Sequence, residues 1–163
     1  MNAWMRPFSK IKPLKELVPV VSRLRRSGKK IVFTNGCFDL LHAGHVRYLK
    51  RAKSLGDILV VGLNSDASVR RLKGPGRPVQ PARDRAEVLG ALEAVDYLVF
   101  FSGPTPEPII RALHPDFLVK GGDWKKNRIA GSDFISGYGG RTLSLEYVKG
   151  RSSTRLLEKI KRL

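Results

Sequence analysis

Short apolar runs alternate with amphipathic stretches along the chain from residue 30 onward. The apolar runs, which predict strands, are 31–34, 58–63, 97–101, 117–120 and 142–145. Between them, apolar residues recur at helical spacing at 44–55, 66–72, 82–94, 106–113 and 153–162, with a short helix at 132–137. Strands that alternate with helices predict βαβ crossovers and a parallel sheet that is covered on both faces. The pattern therefore predicts one α/β domain with an open parallel sheet of about five strands.

A further helix is predicted ahead of the first strand, at 12–27. Pro13 suits its first turn, Gly28 suits its C-terminal stop, and Pro19 is expected to kink or shorten it. We assign residues 1–28 to an N-terminal helical extension and residues 29–163 to the ligand-binding domain. Whether the extension packs on the sheet or contributes to a dimer interface is left open by the sequence.

Length and composition fit one soluble domain. The chain has 163 residues, and its longest apolar run, 58–63, is far shorter than the roughly 20 residues needed to span a membrane. No apolar h-region follows the start, so we expect neither a membrane span nor a signal peptide. The single cysteine, Cys37, cannot form an internal disulfide, and we therefore expect a cytoplasmic protein.

The net charge of +17 is concentrated in three segments. Residues 1–30 carry nine basic residues and one acidic residue, 70–85 carry six and one, and 151–163 carry five and one. The rest of the chain is neutral. Such clustering favours local phosphate sites, a nucleic-acid-binding face, or both, and charge alone does not choose between them.

The first predicted strand runs into a segment that is suited to binding phosphate. His42 and His45 are three residues apart at the start of the next helix, so their side chains share one side of it. Gly44 between them allows a ligand to approach the backbone. Because ligands bind beyond the carboxyl ends of strands in such sheets, and helix N-termini bind anions, we expect phosphate to bind here.

These residues also carry a family resemblance. His42-Ala43-Gly44-His45 resembles the His-x-Gly-His signature of the nucleotidyltransferase superfamily, and Gly36-Cys37-Phe38-Asp39 is similar to its Gly-x-Phe-Asp lead-in. The resemblance implies a Rossmann-like nucleotidyltransferase fold for residues 29–163. It identifies the superfamily but not the substrate.

Four further stretches narrow the resemblance. They are Asn64-Ser65-Asp66-Ala67-Ser68, Leu72-Lys73-Gly74 with Arg77-Pro78, Val119-Lys120-Gly121-Gly122-Asp123-Trp124, and Gly150-Arg151-Ser152-Ser153-Thr154. Together with the first-strand motif they resemble the D-glycero-β-D-manno-heptose 1-phosphate adenylyltransferases, which occur alone or as the C-terminal half of a bifunctional heptose kinase/adenylyltransferase. The resemblance extends over about residues 29–162.

The resemblance implies that ATP and a heptose 1-phosphate give an ADP-heptose and pyrophosphate, with Mg²⁺. It also implies a homodimer or higher oligomer and a product used in lipopolysaccharide or another surface glycan. The attacking phosphate oxygen is already anionic, so no general base is needed. Catalysis then consists of in-line positioning and charge stabilisation.

The resemblance also implies a set of site residues, while the residues that hold Mg²⁺ stay unknown. The expected catalytic residues are His42, His45, Lys73 and Arg85. The expected nucleotide-binding residues are Thr34, Asn35, Gly36, Cys37, Phe38, Asp39, Gly44, Lys120, Gly122, Asp123, Arg151, Ser152, Ser153 and Thr154. The residues expected to bind the sugar substrate are Asn64, Asp66 and Trp124.

Plain structural roles stay open for several of these residues. Asp39 could cap the turn after the strand, Arg85 could be an exposed helix charge, and Lys73 could be a solvated loop lysine. Cys37 could be a small apolar residue behind the site, and Trp124 a half-buried anchor.

Two functions other than an adenylyltransferase stay open at this point. The first is a cytidylyltransferase that acts on a polyol phosphate such as glycerol 3-phosphate. The glycerol-phosphate cytidylyltransferases carry Arg-Thr-Glu-Gly-Ile-Ser-Thr near the last helix, whereas residues 146–149 supply no arginine ahead of Gly150. The second is a nucleic-acid-binding module, which would need exposed aromatic residues among the basic ones, whereas most aromatics here fall in predicted strands or beside the motifs.

Overall fold

A computed structural model describes residues 9–122, 129–146 and 150–163. The helices are α1 (Leu14–Arg26), α2 (Ala43–Lys53), α3 (Asp66–Lys73), α4 (Ala82–Gly90), α5 (Glu107–Leu113), α6 (Ser132–Ser136) and α7 (Ser153–Ile160). The strands are β1 (Ile31–Gly36), β2 (Ile58–Asn64), β3 (Tyr97–Phe101), β4 (Phe117–Gly121) and β5 (Arg141–Leu145). These strands form one parallel sheet in the order β3-β2-β1-β4-β5. The predicted α/β fold is confirmed.

Alternating residues of each strand bury against helices on opposite faces of the sheet. Val32 of β1 packs with Leu49 of α2 in a first core, whereas Phe33 packs with Leu17 of α1 in a second. The first core also includes residues of α4, and the second includes residues of α5 and α6. A sheet buried on both faces explains why the strands read as nearly continuous apolar runs.

Helix α1 packs on the sheet, which is one of the two placements that the sequence left open. Leu17 and Val21 of α1 are buried in the second core. Just before α1, the amide of Lys12 donates to the carbonyl of Leu98, and the amide of Leu98 donates to the carbonyl of Lys10, both at 2.9 Å. The segment just before α1 therefore pairs with the edge strand β3, and α1 itself joins the second core. The domain division at residue 28 stays a prediction.

Two helices differ from expectation by more than the one or two residues seen at other helix ends. Helix α1 continues past Pro19 to Arg26. Pro19 lies on the exposed side of α1, where water can bind the carbonyl of Lys15 that proline leaves unpaired. Helix α4 ends at Gly90 rather than at residue 94, because the chain turns there before it enters β3.

The strand order places a topological switch between β1 and β4. From β1 the chain adds β2 and β3 on one side, and then crosses back to add β4 and β5 on the other. The loops that leave the carboxyl ends of β1 and β4 therefore diverge to opposite faces of the sheet. Ligands of open α/β sheets bind in the crevice that this divergence creates.

Candidate active site

A cleft of about 980 Å³ lies at the carboxyl ends of the strands, over the β1/β4 switch. Most residues that the sequence singled out line it: Asn35, Gly36, Cys37, Phe38, His42, Gly44, His45, Asn64, Lys73, Lys120, Arg151, Ser152, Ser153 and Thr154. The structure thus brings residues from all five motifs together around the cleft. The motif at 119–124 contributes Lys120 and Gly121. Asp123 and Trp124 of that motif lie outside the described residues.

The two histidines form a stacked pair at the start of α2. His42 is the N-cap residue, and its Nδ1 accepts a hydrogen bond from the amide of Gly44 at 3.1 Å. The two imidazole rings are 3.9 Å apart between centroids and inclined by 21°. Because Nδ1 of His42 is an acceptor, a neutral His42 carries its proton on Nε2, which is left as a donor for a ligand.

Both histidines are neutral at pH 7. Burial, reinforced by the neighbouring His42, lowers the pKa of His45 to about 4. Burial and the positive charge of Arg151 also lower the pKa of His42. The pair therefore offers hydrogen-bond donors to an anion rather than protons for general acid catalysis.

The N-terminus of α7 meets the N-terminus of α2 beside these rings. A Cβ at Gly44 would lie 2.9 Å from the His42 ring and 3.3 Å from Cβ of Arg151, so only glycine fits without displacement. Ser153 links the two helix starts, since its hydroxyl donates to the carbonyl of Leu40 at 2.9 Å. Ser152 caps α7 by accepting from the amide of Arg155 at 3.2 Å. Two positive helix ends therefore face one point in the cleft.

A lysine stands at the carboxyl end of β4, on the floor of the cleft. The Nζ of Lys120 donates to Oδ1 of Asn35 at 3.1 Å, across the β1/β4 switch. Burial is the main cause that lowers the pKa of Lys120, with a smaller contribution from Lys73. Cys37 lines the cleft nearby, and burial raises the pKa of its thiol, which fits the small apolar role.

The expectation that Arg85 reaches the reaction centre is revised. Its side chain is completely buried beneath the cleft. The guanidinium donates to the carbonyls of Gln80, Cys37 and Asn64 at 3.0, 2.6 and 2.9 Å, and to Oδ1 of Asp66 at 2.7 Å. Arg85 therefore holds the loops that carry the site rather than facing a ligand. Asp66 is its ion-pair partner but keeps 41% of its side chain exposed, and its contact with the sugar substrate stays a prediction.

Asp39 has a similar structural task. It is 1% exposed, and its carboxylate accepts from Nε of Arg77 at 2.5 Å and from the amides of Val79 and Gln80 at 2.8 and 3.0 Å. Burial alone would raise the pKa of Asp39, but the two amides and Arg77 outweigh it and lower the pKa. Asp39 anchors the 77–80 loop, so the expectation of nucleotide contact is revised here as well.

Two further expected residues lie behind the cleft wall. The Thr34 hydroxyl is buried and lies 2.6 Å from the Tyr48 hydroxyl, which also donates to the carbonyl of Val119. The amide of Gly122 donates to the carbonyl of Leu145 at 2.8 Å. Both residues position the strand ends, and neither lines the cleft.

The sequence reasoning missed several lining residues. Tyr48 lies one turn after His45 on α2, a spacing that could have revealed it. Phe101 is the last residue of β3, and residues 104–106 follow it. Their position at a strand end was the available signal. Four more lining residues belong to the quoted motifs but were given no site role: Leu72, Arg77, Gly121 and Gly150. The lining residues outside every motif are Ile129, Ala130, Glu146 and Arg155.

The cleft is strongly basic, and its described part does not fit a metal held by the protein. Five of the described lining residues are lysine or arginine: Lys73, Arg77, Lys120, Arg151 and Arg155. Glu146 carries the only carboxylate among the described lining residues, and no group of three His, Cys, Asp or Glu side chains in the described ranges could hold an ion. The site is therefore built for an anion with several negative charges.

None of the helices in residues 9–122, 129–146 and 150–163 is both long and apolar enough to cross a bilayer.

Comparisons with known proteins agree with this geometry. The sequence model of a protein family described as cytidylyltransferase-like matches residues 33–149. Two curated relatives are the bifunctional protein HldE of Syntrophotalea carbinolica and that of Geobacter metallireducens, each 53% identical. These matches cover 93% and 94% of this chain but 31% of each relative, so the chain spans about a third of the length of the relatives it matches. The matches confirm the family resemblance that the motifs indicated.

Solved structures agree on the fold. A lipopolysaccharide core biosynthesis protein from Thermoplasma volcanium superposes with a TM-score of 0.60 at 26% identity, over 76% of this chain and 100% of that one. A pantoate-beta-alanine ligase from Francisella tularensis, crystallised with an ATP ligand and beta-alanine, superposes with a TM-score of 0.57 at 16% identity, over 94% of this chain and 78% of the ligase. The second likeness concerns the fold alone.

Proposed function

We propose, from the premise that this chain belongs to the cytidylyltransferase-like family, that it transfers AMP from ATP to D-glycero-β-D-manno-heptose 1-phosphate. The products would be ADP-heptose and pyrophosphate. The proposal is supported by the 53% identity to proteins named bifunctional HldE and by the five motifs that resemble heptose-phosphate adenylyltransferases. Because the chain matches 31% of each relative, it concerns one of the activities that their name implies.

One observation carries the chemical part of the proposal. Two neutral, stacked imidazoles lie where the N-termini of α2 and α7 meet, in a cleft whose described walls carry five basic side chains and one carboxylate. Helix ends and basic side chains suit a polyphosphate, and donors without charge suit the phosphoryl oxygens at which the transition state gathers charge. A triphosphate nucleotide fits this arrangement.

The reaction requires one bond to form and one to break. An oxygen of the sugar phosphate attacks the α-phosphorus of ATP, and the bond from that phosphorus to the oxygen bridging to the β-phosphorus breaks. The electron pair of that bond leaves with pyrophosphate. The attacking oxygen is already ionised, so no proton has to be removed, in keeping with the neutral histidines.

The residues divide this work by position. Nε2 of His42, the His45 ring and the first amides of α2 donate hydrogen bonds to the α-phosphate and its transition state. Arg151 at the start of α7 balances the charge on the departing pyrophosphate, and Lys73 closes the cleft from the end of α3. Arg85 and Asp39 keep the loops around these groups fixed.

Mg²⁺ enters this proposal as part of the ATP substrate. Mg²⁺ usually keeps several waters and binds phosphate oxygens with one or two carboxylates. The described cleft residues offer no cage for it, so no step above depends on a protein ligand to the metal. The homodimer, the cytoplasmic location and the use of the product in a surface glycan are further parts of the proposal.

The test is pyrophosphate release by purified protein with Mg²⁺. ATP and CTP are each paired with β-heptose 1-phosphate and with glycerol 3-phosphate. We expect turnover only with ATP and the heptose phosphate, and His42→Ala should abolish it. The matched control is His114→Ala, a histidine at the C-terminal end of α5 that does not line the cleft.

Two results would contradict the proposal in different ways. Turnover with CTP and glycerol 3-phosphate would keep the phosphate chemistry and replace the substrates. No turnover with any pair, together with salt-sensitive binding to nucleic acid, would mean that the basic surface serves another function.

A further inference from the structure

The cleft has two walls on opposite faces of the sheet. The histidine wall consists of His42, Gly44, His45 and the start of α7, and it lies on the face of the first core, which α2 covers. The lysine wall consists of Asn35, Phe101, Thr105, Lys120 and Ile129, and it lies on the face of the second core.

Strand alternation fixes this division. Side chains two residues apart on a strand point to the same face. Phe33 packs in the second core, so Asn35 points to that face, and Leu118 in the same core directs Lys120 there as well. Ile129 and Phe101 also pack in or against the second core. Each wall therefore offers its own group for binding an anion.

Lys120 is a cation whose described hydrogen-bond partners are neutral. Its Nζ donates to Oδ1 of Asn35 at 3.1 Å and lies 3.5 Å from the carbonyl of the same residue. Among the described residues, no carboxylate lies within 4 Å of its Nζ. A partly buried ammonium without a nearby counter-charge costs free energy, and an arriving anion recovers part of that cost.

In-line geometry places the departing pyrophosphate and the attacking sugar phosphate on opposite walls of the cleft. If the pyrophosphate leaves toward the helix ends of the histidine wall, the nucleophile must approach the α-phosphorus from the opposite side. The opposite side of the strand ends is the lysine wall. The cations are grouped accordingly, since the charge of Arg151 acts on His42 whereas that of Lys73 acts on Lys120.

We infer that Lys120, held by Asn35, binds the phosphate of the sugar 1-phosphate and so forms the acceptor subsite. This inference rests on the proposed function, and it reassigns Lys120 and Asn35 from the nucleotide to the acceptor. The ring of Phe101 and the side chain of Ile129 provide an apolar surface for the C–H face of a sugar, and Thr105 provides a hydroxyl at its edge.

The test compares Lys120→Met with wild type in steady-state assays. Loss of a hydrogen bond to a charged group weakens binding by about 1.5–3 kcal/mol, so we expect KM for heptose 1-phosphate to rise about 12- to 160-fold. KM for ATP should change less than about threefold, because the triphosphate contacts lie on the other wall. Lys120→Arg should restore part of the acceptor affinity. Lys50→Met, an exposed lysine of α2 outside the cleft, controls for the lost net charge.

A binding measurement separates this inference from the proposed function. Inorganic phosphate is titrated into protein saturated with a non-hydrolysable ATP analogue, and the heat of binding is recorded. We expect wild type and Lys50→Met to bind phosphate and Lys120→Met to lose that binding, while all three bind the analogue equally. If wild type fails to turn over the heptose phosphate but this pattern holds, the subsite stands and the sugar assignment falls.

Three results would overturn the inference. The first is unchanged acceptor KM and phosphate binding in Lys120→Met. The second is a rise in the Kd for the ATP analogue with no change for phosphate, which would return Lys120 to the nucleotide. The third is wild-type protein that binds no phosphate beside the analogue.

Discussion

Helices α2 and α7 both direct their N-termini into the cleft, but they are attached to the domain in different ways. Tyr48, Leu49 and Ala52 of α2 are buried in the first core, whereas α7 has no buried residue. At its start, α7 is held by the hydrogen bond from Ser153 to Leu40 and by the approach of Arg151 to Gly44. The comparison indicates that α2 fixes the histidines as part of the core. We expect α7, whose start is the second phosphate-binding end in the proposed function, to separate without unfolding the domain.

The largest expected difference concerns stability. Leu49→Ala removes a fully buried side chain of α2 and should lower the free energy of unfolding by about 2–5 kcal/mol. The same change at Leu157, which is only partly buried on α7, should cost less than about 1 kcal/mol. Urea denaturation of both variants measures the difference, and equal losses would show that α7 is packed as firmly as α2.

The second prediction concerns the close contact between the N-termini of α2 and α7. Gly44→Ala places a methyl group 2.9 Å from the His42 ring and 3.3 Å from Cβ of Arg151, so the ring or the start of α7 must move. We expect kcat to fall about 100-fold, since displacements near 1 Å at a reacting centre have that cost. Ala43→Ser, at the exposed neighbouring position, is the control and should stay active. Normal kcat in Gly44→Ala would mean that His42 and Arg151 are not needed at their present separation.

A smaller effect is expected from loosening α7 alone. Ser153→Ala removes the hydrogen bond to Leu40, which is worth about 0.5–1.5 kcal/mol, so KM for ATP should rise about 2- to 12-fold. The melting temperature should hardly change, because α7 contributes no buried residue. Ser54→Ala, which removes a similar hydroxyl-to-carbonyl bond at the far end of α2, is the matched control for the assay. A large fall in melting temperature would contradict the proposed independence of α7.

The smallest effect near neutrality is that of pH on the α2 histidines. The pKa of His45 is about 4 in the folded protein, against an ordinary value of 6.5 in the unfolded chain. As pH falls, His45 is therefore protonated in the unfolded chain before it is protonated in the folded protein. The free energy of unfolding should therefore be constant with respect to His45 above about pH 7 and decline from about 6.5 towards 4. NMR titration of the imidazole checks the pKa, and a value near 6.5 would show that the ring is more exposed than the structure describes.

The local sequence pattern predicted the secondary structure better than it predicted the positions of the charged side chains. The strands and the histidine pair follow from residues adjacent in sequence, so periodicity and spacing were sufficient. The positions of Arg85 and Asp39 could not be read in this way. Three of the four partners of Arg85 lie 19 to 48 residues away, and those of Asp39 lie 38 to 41 residues away. A cleft-facing arginine and one buried beneath a loop look the same until the loops are placed.

The sequence also could not show on which wall of the cleft the Lys120 side chain lies, for a related reason. The resemblance indicated that it binds a ligand, but the wall on which it stands depends on the register of β4 against β1 and on which core Leu118 joins. Both are properties of the assembled sheet. Phe101 and Thr105 were missed because no motif marks them, although their strand-end position places them at the cleft.

The buried guanidinium of Arg85 has a consequence for the order in which the molecule assembles. It is satisfied only when the end of β1, the end of β2, the start of α3 and the loop before α4 are all in place, since each supplies one acceptor. An intermediate that lacked any of these segments would leave part of a desolvated positive charge unpaired, which is strongly unfavourable. Partly folded states in which the cleft floor is incomplete are therefore expected to be sparsely populated. These segments are expected to fold and unfold as one cooperative unit, so that the floor of the cleft is either complete or absent.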